Sequence, residues 1–372
     1  MDADVVVVGA GPVGSALTLL LRQRNVRTLL VDQAAFPRDK PCGEGLLPSG
    51  VRVLSDLGLD LAALGFGPVD GVRYHAPGLG SAGAAFDAPA FGVRRLRLDA
   101  LLAERAGAHT GVRVEGVRSV EGLRVMETTQ GPLTARVVVA ADGMRSVLRR
   151  SLGWERRRGA SRRYGLVGHL DAPRHGRREI VVTLLGGVET YLTPVGSDEL
   201  LIGLLGPQGR LRAPGRSVRD SYREIVAAAH PELAGATLQG RVHGAGPFGT
   251  SARTVAQDGV FLCGDAAGFL DPLTGEAMAA GLVQARTLAE LLAHDPETAA
   301  ARYRRWYASQ WRRRWAVSRL ALTLTGTERL TRRALRGVER RPQAMARLLG
   351  VADGAHGFGR LGPRDWAALA GW

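Results

Sequence analysis

The stretch that decides the fold is Val5-Val6-Val7-Val8-Gly9-Ala10-Gly11-Pro12-Val13-Gly14. Its valines form an apolar run without polar alternation, which is typical of a parallel strand buried on both faces. The glycines permit a tight turn, and a helix is expected from about Val13 to Arg24. A second apolar run, Thr28-Leu29-Leu30-Val31, ends at Asp32. The pattern therefore predicts a strand–turn–helix–strand unit that binds a dinucleotide.

Each part of this unit has a role in holding such a ligand. The glycines let the backbone approach a pyrophosphate, and free N–H groups at the helix start bind its charge. Asp32 follows Gly14 at the distance where a carboxylate accepts hydrogen bonds from a ribose. A glycine motif alone also occurs in plain loops, but the flanking strand, helix and acid favour a nucleotide site. The expected ligand contacts are Gly9, Gly11, Pro12, Val13, Gly14 and Asp32.

Two later apolar runs also end in short motifs with glycine and aspartate. Val137-Val138-Val139-Ala140 precedes Asp142-Gly143, and Val260-Phe261-Leu262-Cys263 precedes Gly264-Asp265. Both motifs are expected in loops at the ends of buried strands, and a helix is expected from about Glu276 to Leu292.

The order of these motifs resembles the para-hydroxybenzoate hydroxylase-like flavoproteins, most closely their branch of geranylgeranyl reductases and related monooxygenases. Lys40-Pro41-Cys42-Gly43-Glu44-Gly45 is similar to the K-x-C-G segment of the reductases, and Arg95 begins an R-x-x-x-D pattern that ends at Asp99. The resemblance covers roughly residues 1–300 and implies FAD as cofactor, with NAD(P)H as co-substrate. The further FAD contacts that it implies are Cys42, Gly43, Arg95, Asp142, Gly143, Gly264, Asp265, Pro272, Gly275, Ala277 and Met278.

One of these positions departs from the family pattern. Relatives usually read G-E-G where this chain has Gly275-Glu276-Ala277. A Cβ atom at Ala277 narrows the approach of the backbone, which leaves the position of the flavin ring open. The helix that begins here would stabilise negative charge on the reduced flavin with its positive end.

We expect an α/β protein with a Rossmann-type FAD-binding domain, an inserted antiparallel β-sheet substrate domain and a C-terminal helical region. Short alternating runs broken by Gly and Pro predict the inserted sheet. The expected boundaries are 1–70, 93–160 and 250–296 for the FAD-binding domain, 71–92 and 161–249 for the substrate domain, and 297–372 for a C-terminal helical cap.

The substrate is expected between the flavin and the inserted sheet. A His or Tyr side chain there could take a proton from a phenol, although each candidate has an alternative as an ordinary sheet or packing residue. Cys42 has an active-site role by resemblance or a packing role in its Gly-rich turn, and Cys263 is expected in the core. No metal site is expected, because the histidines and cysteines lack ligand spacing. The candidate residues are Cys42, His169, Tyr191, Thr193, His243 and Phe248.

Four functions are compatible with the resemblance. The first hypothesis is a monooxygenase of secondary metabolism that uses NAD(P)H and a flavin C4a-hydroperoxide to hydroxylate an aromatic, polyketide or lipid-like small molecule. The alternative is reduction of prenyl double bonds, as in geranylgeranyl reductases. A flavin halogenase is disfavoured because W-x-W-x-I-P is missing. A non-catalytic FAD-fold binding protein is disfavoured because it would not need all the flavin motifs.

The composition adds one feature, a net charge of +15 carried almost entirely by arginine, since Lys40 is the only lysine. The arginines crowd between Arg302 and Arg347. They are expected either on the solvated face of a helical cap or on a face that contacts anionic lipid as a peripheral membrane contact. No nucleic-acid motif accompanies them. No apolar stretch is long enough to span a membrane, and no basic n-region opens the chain, so a cytoplasmic protein is expected.

Overall fold

The computed structural model describes residues 1–157 and 163–371, so the expected boundary at residues 160 and 161 lies outside the described residues, as does Trp372. The described helices are α1 Pro12–Arg22, α2 Pro48–Asp56, α3 Arg95–Arg105, α4 Val147–Ser151, α5 Gln208–Leu211, α6 Val218–Ala229, α7 Ala277–His294, α8 Ala299–Leu324, α9 Glu328–Arg340, α10 Pro342–Asp353 and α11 Pro363–Leu369.

The strands form two large sheets and one small sheet. Their bounds are β1 Ala3–Val8, β2 Thr28–Asp32, β3 Gly45–Leu46, β4 Gly67–Ala76, β5 Gly80–Gly92, β6 His109–Thr110, β7 Val114–Val120, β8 Leu123–Thr128, β9 Leu133–Ala140, β10 Glu155–Arg157, β11 Arg163–Asp171, β12 Glu179–Leu185, β13 Val188–Pro194, β14 Glu199–Pro207, β15 Leu238–Ala245, β16 Thr250–Ala252, β17 Ala256–Gln257, β18 Val260–Leu262 and β19 Gly268–Phe269.

The first sheet is Rossmann-type, which confirms the predicted fold class. Its strand order is β17-β18-β9-β1-β2-β6, and β18, β9, β1, β2 and β6 run parallel. Val6 and Val7 of β1 are fully buried, as expected for a strand in the middle of a parallel sheet. α1 begins at Pro12, where the missing N–H of proline costs no hydrogen bond, and it packs against α3 and α7.

The second sheet is mostly antiparallel and has the order β15-β11-β14-β13-β12-β4-β5-β3. Leu192, Ile202 and Leu204 point to one face, where they form a core with Tyr222 of α6. The opposite face, which we call the inner face, carries Tyr191, because side chains alternate along each strand. β4 begins at Gly67, four residues before the predicted boundary at residue 71, and β3 adds to this sheet a strand from the segment that was expected in the first domain.

Of the C-terminal helices, α9 and α10 pack against β5 of the second sheet, α8 contacts α7 and α10, and α11 packs on α9 and α10. Between them and the inner face lies a set of apolar side chains that we call the apolar layer. Two buried contacts tie the helices to the first domain: Arg314 to Glu276, 2.9 Å apart, and the Ser49 hydroxyl to Asp353 at 2.6 Å. The apolar layer includes Val72, Val182, Tyr191, Phe248, Phe269, Leu273, Val317, Leu335, Val338 and Met345.

Across the described residues, none of the helices combines the length and apolar character needed to cross a membrane.

Candidate functional site

The site lies at the carboxyl edge of the first sheet, where the expected motifs follow neighbouring strands. Because β18, β9, β1 and β2 are adjacent and parallel, the loops after them leave the sheet at one edge. The Asp265 loop therefore lies beside the Asp142 loop, which lies beside the glycine loop of residues 9–14, and Asp32 ends the next strand.

Close backbone approaches show that these loops touch one another. Gly9 has φ +105°, and a Cβ atom there would lie 2.5 Å from the carbonyl oxygen of Ala141. A Cβ atom on Gly264 would lie 3.3 Å from the Val13 side chain. Gly9 thus contacts the Asp-Gly loop, and Val13 contacts the Gly-Asp loop.

Asp32 fixes the shape of the glycine loop. One carboxylate oxygen accepts a hydrogen bond from the N–H of Ala10 at 2.7 Å, and the other accepts one from Ala34 at 2.8 Å. A carboxylate has further lone pairs, so Asp32 can still accept from a ribose hydroxyl. No side chain caps the N-terminus of α1 at Gly11, which leaves helix N–H groups facing the same edge.

Three cations converge beside these loops. Asp99 is fully buried and accepts from Arg95 at 2.6 and 2.7 Å and from Arg38 at 3.1 Å. Lys40 lies against the Asp-Gly loop, since a Cβ atom on Gly143 would be 2.9 Å from its Nζ. Burial and then the charges of Arg95 and Arg38 lower the pKa of Lys40. The cluster therefore favours an anionic ligand.

Both loop carboxylates are held in low-dielectric surroundings. Burial raises the pKa of Asp142, and one of its oxygens is buried without a hydrogen-bond partner among the described residues. The other oxygen accepts from the N–H of Val147 at 2.7 Å. Burial also raises the pKa of Asp265, and the Lys40 ammonium is the strongest opposing influence. Asp142 thus has an oxygen available for a ligand proton.

A buried ionic group joins the K-P-C-G segment to the second sheet; we call it the Glu44 cluster. Glu44 accepts from the backbone N–H of Arg95 at 2.8 Å and lies 2.9 Å from Nε2 of His169. Arg94 makes a bidentate pair with Asp39, at 2.9 and 3.0 Å, and donates to Glu199 at 2.8 Å. The His169 ring is therefore committed to a carboxylate from the first domain.

A second ionic group, the Glu189 cluster, lies next to the apolar layer. Arg163 pairs with Glu189 at 2.8 Å and with Asp271 at 2.9 Å. The single proton of the Tyr191 hydroxyl has two acceptors within reach, Glu189 at 3.1 Å and the carbonyl of Leu273 at 3.3 Å. Burial, followed by the Glu189 carboxylate, raises the pKa of Tyr191 well above its ordinary value. Tyr191 thus reaches the segment 271–275 as a neutral phenol.

The structure brings four of the expected candidates to the inner face. Val167 of β11 pairs with Gly203 on one side and with His243 on the other. Gly203 in turn pairs with Tyr191. Because paired residues of neighbouring strands point to the same face, His243 and Tyr191 share a face. The same register places His169 and Thr193 there, both opposite Leu201. The His243 ring is only partly buried, with Nε2 3.8 Å from Asp39.

The remaining candidates have packing contacts. Cys42 accepts weakly from the N–H of Glu44 at 3.4 Å, and burial raises the pKa of its thiol. The Phe248 ring lies 5.6 Å from that of Phe269, between centroids. Cys263 is 1% exposed and belongs to the core of the first domain. Thr193 donates to the carbonyl of Gly43 at 3.0 Å.

The segment before α7, which is expected to bind the flavin ring, is a short capped turn. Pro272 begins a single 3₁₀ turn, which Asp271 caps by accepting from the Leu273 N–H at 3.0 Å. Gly275 then adopts φ +65°. Ala277 is the first residue of α7 and packs against the apolar layer, and Met278 is buried in the first core.

Comparison with known proteins identifies the family. Residues 2–319 match the family model described as an FAD binding domain. The chain belongs to this FAD-binding family. It is an FAD-dependent oxidoreductase of the para-hydroxybenzoate hydroxylase-like superfamily, as the motifs predict.

Its relatives include several reductases. The chain is 34% identical over 358 residues to "Menaquinone reductase" of Mycobacterium tuberculosis strain H37Rv, covering 87% of this chain and 84% of that protein. It is 27% identical to "Digeranylgeranylglycerophospholipid reductase 1" of Methanopyrus kandleri, covering 84% and 86%. The flavoprotein/dehydrogenase structure from Cytophaga hutchinsonii has the same fold, with a TM-score of 0.84 at 20% identity, covering 95% and 92%.

The residues of this oxidoreductase fit FAD. A Cβ atom built on Gly11 meets only Nη2 of Arg38, at 3.8 Å, and one on Gly43 meets nothing within 4 Å. Both backbones are therefore open to a ligand, beside the uncapped start of α1 and the cations. The unpartnered oxygen of Asp142 adds an acceptor at the same edge. These groups match a diphosphate flanked by hydroxyl-bearing sugars.

Because Lys40 is the only lysine, the rate at which its side-chain amine is chemically modified can show whether the cofactor site is occupied in the intact protein. Its lowered pKa leaves more neutral, nucleophilic amine in the FAD-free protein than an ordinary lysine has at the same pH. A bound diphosphate would raise that pKa and cover the amine. Reductive methylation followed by peptide mass spectrometry should therefore modify Lys40 readily without FAD and slowly with it. Equal rates with and without FAD would contradict this placement, and the N-terminal amine provides an internal control.

Proposed function

We propose that this oxidoreductase reduces a carbon–carbon double bond in the prenyl chain of a lipid. The observation that carries the proposal is the apolar layer, which reaches the segment 271–275 through Leu273 and Phe269. The substrate names of the two reductases above share one chemical feature, a prenyl chain attached to a polar head. Each methylene of such a chain gains about 0.8 kcal/mol on burial, so an apolar wall suits it.

The balance of the reaction is simple. Two hydrogens are added across the double bond, and a two-electron donor such as NAD(P)H is oxidised. FAD, when bound, supplies the two-electron chemistry. The protein has to orient the double bond against the cofactor, exclude water and provide one of the two hydrogens as a proton.

We assign the proton-donating role to the Tyr191 hydroxyl. It lies at the segment 271–275, 3.3 Å from the Leu273 carbonyl, and after each turnover it would take a proton back from water. Its raised pKa keeps the phenol protonated at neutral pH. The His169 ring is less suited to the role because Glu44 holds its Nε2 at 2.9 Å in a buried pair. Cys42 is also less suited, since its thiol is buried beside backbone.

The second candidate function is a monooxygenase that hydroxylates an aromatic, polyketide or lipid-like substrate with NAD(P)H. The partly exposed His243 ring favours it, because an imidazole near the Asp39 carboxylate can accept a proton from a phenol. Tyr191 and His169, by contrast, already have carboxylate partners.

Product mass separates the two functions. Holoenzyme should be incubated with NAD(P)H and detergent-dispersed digeranylgeranyl phospholipid, whose head has no quinone ring that could itself take up two hydrogens, with and without oxygen. A reductase yields a product heavier by two hydrogens under both conditions. A product heavier by one oxygen atom, formed only in air, would reject the reductase and support the monooxygenase.

A separate variant tests the proposed proton-donating role of Tyr191. Tyr191→Phe removes the hydroxyl but keeps the ring, so FAD content should be unchanged while kcat falls about 100-fold or more. Tyr164→Phe is the matched control, because Tyr164 packs with the core on the opposite face of the sheet. Equal kcat in parent and Tyr191→Phe would show that Tyr191 is not the proton donor, and it would leave the proposed function unaffected.

A further inference from the structure

The helices α8 and α9 have an unusual charge pattern. The 26 residues of α8 include seven arginines and neither Asp nor Glu. The 13 residues of α9 include five arginines and two glutamates. Elsewhere in the described chain many arginines pair with carboxylates, as Arg73 does with Glu179 at 2.8 Å. The charge of α8 and α9 is thus largely uncompensated within the helices themselves.

The arginines of α8 form a stripe on its exposed side. Arg305, Arg312 and Arg319 recur every seven residues, so they lie on one face of the helix, and all three are exposed. Trp315 lies in the same stripe with 44% of its surface exposed, and the Arg319 guanidinium stands 5.5 Å above its ring. The stripe thus pairs cations with a large exposed aromatic side chain.

A similar stripe follows on α9. Arg329, Arg332 and Arg336 are exposed and spaced at helical intervals, beside Leu330 with 36% exposure. Within residues 1–157 and 163–371, none of the six arginines in the two stripes has a carboxylate at ion-pair distance. We call these six arginines, with Trp315 and Leu330, the arginine face.

The opposite sides of the same helices are apolar. Val317 of α8 and Leu335 and Val338 of α9 are buried in the apolar layer. α8 and α9 therefore carry cations on one side and the layer proposed for the lipid chain on the other. A protein that takes its substrate from a bilayer needs this combination of surfaces.

We propose that the arginine face docks on a membrane surface that contains anionic lipid headgroups. Exposed arginines attract such headgroups, and exposed tryptophan and leucine favour the boundary between headgroups and acyl chains. The proposal rests on the proposed function for the choice of a lipid partner, but its test does not depend on turnover.

The test is binding of the holoenzyme to vesicles, measured by co-sedimentation. Vesicles that contain phosphatidylglycerol and phosphatidylcholine should bind the protein, binding should fall as salt is raised, and pure phosphatidylcholine vesicles should bind little. The variant Arg312→Gln/Arg319→Gln/Arg332→Gln/Arg336→Gln should bind roughly 100-fold more weakly or worse, because it removes four of the six cations that attract the anionic headgroups.

A matched control removes four exposed arginines outside these helices: Arg113→Gln/Arg210→Gln/Arg223→Gln/Arg241→Gln. It should bind nearly as well as the parent. Equal weakening in both variants would show that net charge alone acts and would overturn the proposal. So would absence of binding to the anionic vesicles, or displacement from them by an equimolar amount of duplex DNA.

Failure of this proposal is distinguishable from failure of the proposed function. Detergent-dispersed substrate should be turned over equally by the parent and the arginine-face variant, because none of the four residues lies in the site. Turnover without vesicle binding rejects the docking surface alone, whereas vesicle binding without any prenyl reduction rejects the proposed function alone.

Discussion

Replacing Gly11 by alanine should weaken FAD binding while the fold remains intact. Gly11 has φ −67°, a conformation that any residue adopts, and an added Cβ atom meets only the end of the flexible Arg38 side chain at 3.8 Å. The protein itself therefore tolerates the methyl group. The methyl group instead occupies space next to the uncapped start of α1. Overpacking of this kind costs about 1–3 kcal/mol, equivalent to a roughly 10- to 100-fold increase in the Kd for FAD.

Gly14→Ala, in the same loop, should in contrast damage the fold itself. A Cβ atom there would lie 1.9 Å from the carbonyl oxygen of Gly9, which is backbone and cannot rotate away. The loop and α1 would have to separate, so we expect both FAD binding and the free energy of unfolding to decrease, the latter by about 3 kcal/mol.

Two measurements check this pair: the Kd for FAD, and urea unfolding of the FAD-free proteins. Gly209→Ala is the control, because its Cβ atom would meet nothing within 4 Å on α5. Unchanged FAD affinity in Gly11→Ala would show that the cofactor does not approach this loop.

Replacing Glu44 by alanine should produce the largest loss of stability. Glu44 is 1% exposed, and its carboxylate has Arg94, His169 and the Arg95 N–H as partners. Removal of one member of a buried ionic group leaves the others uncompensated, at a cost of about 3–5 kcal/mol. The same change should weaken FAD binding, since the K-P-C-G segment and the start of α3 lose their common anchor.

Glu179→Ala is the matched control for Glu44→Ala. Glu179 pairs with Arg73, but both side chains are substantially exposed, at 40% and 45%, so this loss should be about 1 kcal/mol or less. Unfolding of both variants by urea, followed by tryptophan fluorescence, gives the comparison. A Glu44→Ala loss no larger than that of Glu179→Ala would mean that the Glu44 cluster is not a structural anchor.

Much of the cofactor site could be predicted from the sequence because its signals are local. Four apolar runs specified the strands β1, β2, β9 and β18, and glycine and aspartate motifs marked their ends. Parallel pairing of adjacent strands then brings the loops together without any further information. Most predicted and observed boundaries of these elements differ by one or two residues, as for α1, which begins at Pro12 instead of Val13, but β9 begins at Leu133, four residues before the predicted Val137.

The ionic clusters could not be predicted, because they depend on how two domains pack. Glu44 lies within the quoted K-P-C-G-E-G segment, but its contact with His169 spans 125 residues of sequence. The sequence pattern of neither segment predicts a contact between residues so far apart in the chain. Arg94 was likewise overlooked beside Arg95, since nothing local distinguishes a pairing arginine from a solvated one.

Glu189 is a residue that sequence reasoning missed although a signal was present. It lies two residues before Tyr191 and four before Thr193, so the period of a strand places all three on one face. Once Tyr191 was a candidate, the same alternation pointed to Glu189. Asp271, which also pairs with Arg163, in contrast comes from a loop of the other domain and carries no such signal.

The most direct test of the account is the reaction of reduced holoenzyme with a prenyl lipid in the absence of oxygen. FAD on the protein is reduced chemically, detergent-dispersed digeranylgeranyl phospholipid is added because it has no quinone ring to accept the electrons, and both the visible flavin absorption and the lipid mass are followed. We expect the oxidised flavin spectrum to return as the lipid gains two hydrogens in its chain. A flavin that stays reduced until oxygen is admitted, with the prenyl chain unchanged, would contradict the proposed reductase.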